Sequence, residues 1–85
     1  MLSAIMRVLI VEDDRQLRTS MTRGLREASH VVEQAPTGEH AIALAKSSAF
    51  DVMILDVRLP GVDGLAVCRA FRAAGNRVPI LMLTA

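Results

Sequence analysis

The 85-residue chain predicts an open α/β fold built on a parallel sheet. Two observations carry this expectation. First, short apolar and β-branched runs alternate with segments of helical period, in the order β-α-β-α-β-α-β. Second, the runs DVMILD and VPILMLTA each hold four apolar side chains in succession. Because neighbouring strand side chains point to opposite faces, such runs want cover on both, as interior parallel strands do. Right-handed crossovers then place helices on both sides of the sheet.

MRVLIV, residues 6–11, reads as the first strand and runs into the acids Glu12, Asp13 and Asp14. Asp14 suits an N-cap for a helix from Arg15 to about Ser29. Leu17, Met21, Leu25 and Ala28 form its apolar stripe, and Arg15, Arg18, Arg23 and Arg26 a solvated one. Residues 31–35 read as a weaker second strand, punctuated by Pro36-Thr37-Gly38. Thr37 then caps a helix to about Ser47, with Ala41, Leu44 and Ala45 inward. Residues 51–56 form the third strand, and Leu59-Pro60-Gly61 and Asp63-Gly64 mark a loop. A third helix from Leu65 to about Ala73 is expected to pack Leu65, Cys68 and Phe71. Gly75-Asn76 ends it, and residues 78–84 form the fourth strand. Residues 1–85 make one domain, with 1–5 an extension if Met6 is an alternative start.

Composition narrows the function classes. Hydrophobic residues make up 52% of the chain, with two Phe and no Trp or Tyr, and mean hydropathy is +0.37. A chain this small buries roughly 60–65% of its unfolded surface, so this apolar excess suggests a part of something larger or an oligomer. A net charge of +1 favours neither nucleic-acid binding nor an acidic tail. Cys68 is the only cysteine, so no intrachain disulfide forms, and a reducing compartment fits. No apolar run approaches the ~18 residues of a membrane span, and MLSAI lacks the basic and apolar regions of a signal peptide. A soluble, cytoplasmic protein is expected. His30 and His40 have no Cys or His at metal-ligand spacing, which argues against zinc.

In an open parallel sheet, ligands bind beyond the carboxyl ends of the strands, where the strand order reverses. The residues there are Glu12, Asp13 and Asp14 after the first strand, Asp56 after the third and Thr84 after the fourth. If the first and third strands are neighbours, their carboxylates meet. One of them must then hold a proton unless a cation neutralises the group. Mg²⁺ suits such a site, since it takes few protein carboxylates, keeps waters and bridges to phosphate oxygens. A carboxylate beside it can attack phosphorus to give an aspartyl phosphate. Taken singly, these acids could also be helix caps or turn formers.

The segments MRVLIVEDD, Thr37-Gly38 with Ala43-Leu44, DVMILDVRLPGVDGLAVCR and PILMLTA resemble the receiver domain of bacterial two-component response regulators. They are most similar to the subfamily with a winged-helix DNA-binding output. The resemblance runs from Met6 to Ala85 and implies a flavodoxin-like sheet in the order 2-1-3-4. It implies Asp56 as phosphoacceptor, with Mg²⁺ held by Glu12, Asp13, Asp56 and the backbone carbonyl of Arg58. Thr84 would be the switch hydroxyl, with the Ala85 amide nearby, and Pro60 and Gly61 would shape the loop. A histidine kinase would be the donor and transcription regulation the output, with DNA met only through a separate domain.

Relatives continue with a fourth helix, a fifth strand bearing a lysine and a switch aromatic, and a fifth helix. The chain is therefore expected to be a truncated receiver. Its fourth strand would lie at a sheet edge and pair with a second copy as a dimer or higher oligomer. Weak phosphorylation at most would follow. Two other readings compete: a phosphorylation-incompetent interaction module, and a Mg²⁺-dependent phosphohydrolase. The phosphohydrolase lacks its second acid, because Arg58 stands two residues after Asp56. No GxxxxGK run supports a P-loop enzyme. No enzymatic turnover is expected beyond self-phosphorylation and slow autodephosphorylation.

Overall fold

A computed structural model describes residues 4–83. Strands β1 (Arg7–Val11), β2 (Val31–Ala35), β3 (Val52–Asp56) and β4 (Ile80–Leu83) alternate with helices α1 (Arg15–Glu27), α2 (Gly38–Ser47) and α3 (Gly64–Ala73). All strand pairs are parallel, in the order β2-β1-β3-β4. The expected elements and their order hold, with ends shifted by one or two residues. The largest change is at β4, which begins at Ile80 because Val78 and Pro79 precede the regular ladder, although the Pro79 carbonyl still accepts from the Met53 N–H at 2.9 Å. Thr84, expected to end this strand, and Ala85 lie outside the described residues.

Strand periodicity divides the core. Leu9, Val11, Met53 and Leu55 face α2 and α3, where they pack with Ala41, Val67 and Phe71, all at most 2% exposed. Val8, Ile10 and Val32 face the other way, against Met21 and Leu25 of α1. On this second side α1 sits over β1 and β2. Leu81, in register with Ile54, remains 56% exposed there.

The caps follow the sequence. Asp14 accepts from the N–H groups of Gln16 and Leu17, and Thr37 from His40. Asp63, expected only as a loop marker, also caps, accepting from the Ala66 N–H at 2.9 Å.

Two helix faces differ from expectation. In α1 Met21 and Leu25 of the expected stripe pack inward, but the buried residue is Thr22, and Leu17 and Ala28 are exposed; the helix lies mainly over β1 and β2. In α3 Val67 and Phe71 are buried, Cys68 is partly buried and Leu65 is half exposed. Val67 and Phe71, four apart, share the inner face of the helix and join the core.

Candidate functional site

The chain leaves β1 for β2 on one side and later enters β3 on the other, so the strand order reverses beside β1. Beyond the carboxyl ends of β1 and β3 lies an open cleft of about 370 Å³. Glu12, Asp13, Asp14, Leu17, Asp56, Arg58 and Leu83 line it. Glu12, Asp13 and Asp56 each bring a carboxylate oxygen within 4.8 Å of the others. The three acids, drawn from two segments 43 residues or more apart in sequence, therefore meet, as the sequence anticipates.

The backbone explains the convergence. Val11 pairs with Leu55, so Glu12 and Asp56 both follow the last β1–β3 pair of the ladder. Glu12 donates its N–H to the Ala35 carbonyl at 3.1 Å and accepts from the Asp14 N–H at 3.2 Å. The Arg58 N–H donates to Asp56 Oδ1 at 2.9 Å, closing a turn around the carboxylate. Arg58 lines the cleft and is exposed as a residue.

Gly64 fixes this turn from behind. A Cβ there would lie 2.6 Å from the Asp56 carbonyl oxygen and 2.7 Å from Val57 Cα. The start of α3 therefore abuts the strand end that carries Asp56, and only glycine allows that approach.

Glu12 is buried, at 3% exposure. Burial pushes its carboxyl up to about 7, and hydrogen bonding and repulsion from Asp56, with hydrogen bonding from Asp13, add to the effect. The Asp14 amide opposes the shift. A nearby divalent cation would reverse the balance by favouring the ionised form. His30 and His40 stand apart from this cluster: His30 Nδ1 accepts from the Met6 N–H, and His40 is exposed. Arg18, expected on a solvated face, instead reaches the main chain of the acid pair.

The fold and this acid pocket define a class: a parallel α/β domain whose switch-point cleft is lined by carboxylates. The profile of the response regulator receiver domain matches residues 8–85, and the chain belongs to that family. It is 45% identical over 80 residues to the response regulator MprA of Mycobacterium avium (strain 104), covering 94% of this chain and 35% of MprA. The transcriptional regulatory protein TcrA of Mycobacterium tuberculosis (strain H37Rv) is 40% identical, with 93% of this chain and 31% of TcrA covered. The chain thus spans about a third of the length of these relatives. Among solved structures, the response regulator TrrA of Thermotoga maritima in complex with Mg²⁺–BeF superposes with a TM-score of 0.86 at 33% identity. That match covers 93% of this chain and 69% of TrrA. The chain is a signalling receiver, and no helix of the described residues is long and apolar enough to cross a membrane.

Proposed function

We propose that residues 1–85 form a Mg²⁺-dependent phosphoacceptor receiver, with 1–5 an extension, that takes a phosphoryl group from a histidine kinase onto Asp56. The meeting of Glu12, Asp13 and Asp56 within 4.8 Å at the switch point carries this reading. The donor set fits the ion: hard carboxylate oxygens, among them Glu12, whose burial beside Asp56 and Asp13 raises its carboxyl to about 7. Glu12, Asp13 and Asp56 would hold it, directly or through water, with the Arg58 carbonyl. When bound, Mg²⁺ supplies the positive charge that lets an anionic donor approach a carboxylate.

Asp56 is the nucleophile. One of its carboxylate oxygens forms the bond to phosphorus as the phosphorus–nitrogen bond of a phosphohistidine breaks, and the electron pair stays on the imidazole. The Arg58 amide fixes the carboxylate through Oδ1 during this step. Thr84, next in sequence to the cleft residue Leu83, is assigned the switch hydroxyl that senses the new oxygens. Beyond self-phosphorylation and slow hydrolysis no turnover is assigned. A cytoplasmic location and a transcriptional output follow from the same reading. The role printed in TcrA's name supports that output, and any DNA contact is assigned to a separate output domain.

The test is incubation with Mg²⁺ and acetyl phosphate, read by mass spectrometry. A phosphoryl adduct that disappears in Asp56→Asn and with a chelator is expected. A folded chain that takes no adduct would instead favour an interaction module, for which the exposed Leu81 on β4 is the specific support. In that second reading a second copy pairs along the outer edge of β4, and a clean monomer by light scattering at micromolar concentration would count against it.

A further inference from the structure

We infer that Arg18 is a positioning residue for the acid pocket: its guanidinium clamps the main chain from which Glu12 and Asp13 project. Nη1 donates to the Glu12 carbonyl at 2.9 Å and to the Asp13 carbonyl at 3.3 Å. Long helical side chains lean toward the helix N-terminus, and Arg18 does so from the first hydrogen-bonded turn of α1, its own N–H bonded to the Asp14 carbonyl at 2.9 Å. It is partly buried, whereas Arg15, Arg23 and Arg26 are exposed.

The segment between β1 and α1 is thereby tied on three sides. The Glu12 N–H is bound to Ala35 on β2, the Asp14 N–H to the Glu12 carboxylate, and the two carbonyls to Arg18. Fixing both carbonyls fixes the peptide planes that aim the two side chains at Asp56. Preorganisation of this kind matters because an ion of small radius demands near-ideal geometry.

Arg18 also brings a positive charge toward a site proposed to hold a cation. The two effects have opposite signs. If charge dominates, removing Arg18 tightens Mg²⁺ binding; if positioning dominates, removal weakens it. The clamp argues for the second, and loss of an outer partner of metal ligands typically costs about 10- to 100-fold in affinity.

This inference rests on the proposed Mg²⁺ site, and calorimetric titration of the 85-residue chain with Mg²⁺ tests both. Arg18→Met, which keeps the apolar stem, is expected to bind about 10-fold more weakly than the unsubstituted chain. Arg18→Lys, which keeps the charge and reaches the carbonyls through one ammonium, is expected to recover part of the loss. Urea unfolding without Mg²⁺ measures any general destabilisation separately. Unchanged or tighter Mg²⁺ binding in folded Arg18→Met would overturn the positioning role while leaving the metal site standing. No Mg²⁺ binding by the unsubstituted chain would remove the site and the inference together. Should Arg18→Met not fold, Arg18→Lys carries the test, and affinity equal to the unsubstituted chain would count against a two-carbonyl clamp.

Discussion

The two ends of the sheet treat charge in opposite ways. At the amino end of β1, Arg7 has partners on every side. Its N–H donates to Asp51 Oδ2 at 2.7 Å, its guanidinium meets Glu33 at 3.3 Å, and it lies 5.8 Å from the Phe50 ring centroid. At the carboxyl end of the same strand, Glu12, Asp13 and Asp56 bring carboxylates together, and Arg18, which reaches this segment, donates to its carbonyls. One end resolves its electrostatics within the fold. The other gathers like charges, and that is where the proposed cation would act.

The comparison breaks most severely if the backbone behind Asp56 moves. Gly64→Ala puts a methyl group 2.6 Å from the Asp56 carbonyl oxygen, where main chain must yield. A loss of about 3 kcal/mol in urea unfolding is expected, together with weakened Mg²⁺ binding.

The second way is pH. Glu12 holds its proton to about 7 in the folded chain against 4.5 as an ordinary carboxyl. The folded state therefore binds that proton more tightly. The resulting stability is complete below pH 4.5, falls as pH rises through the window up to about 7, and is flat above. Without Mg²⁺ the chain should lose up to about 3 kcal/mol across this range, since each tenfold difference in proton affinity between the folded and unfolded states is worth about 1.4 kcal/mol. Glu12→Gln should abolish the slope, and Mg²⁺ should reduce it. A slope unaltered by Glu12→Gln would assign the titration elsewhere.

Asp56→Asn sharpens the contrast in a smaller way. It removes one like charge from the cleft, so the metal-free chain should gain about 1 kcal/mol at low salt, with the gain shrinking as salt is added. Smallest of all is Glu33→Gln at the opposite end. That pair is solvent-exposed, and a change below about 0.5 kcal/mol in urea unfolding is expected.

Much of this is legible in the sequence. The strand runs, the caps Asp14 and Thr37 and the convergence of Glu12, Asp13 and Asp56 follow from local chemistry and the parallel topology. What escapes depends on which part of the sheet a helix covers. Thr22 is polar and β-branched, so periodicity alone places it outside; it is buried because α1 lies over β1 and β2. Leu17 carries the better apolar signal yet lines the acid cleft, half exposed. Arg18 reads like its neighbouring arginines, and nothing in its spacing reveals that its side chain turns back toward the strand end. Gly64 looks like loop punctuation because a close approach between main chains leaves no trace beyond the glycine itself.

Gly38 completes a pattern that Gly64 begins. A Cβ on Gly38, at the start of α2, would lie 2.6 Å from the Val62 carbonyl oxygen, just as one on Gly64 would strike the Asp56 carbonyl. The stretch from Asp56 to Val62 is thus gripped near both ends by the opening turns of two helices. The placement of the turn that carries Asp56 therefore depends on the starts of both helices, α3 against its first residue and α2 against its last.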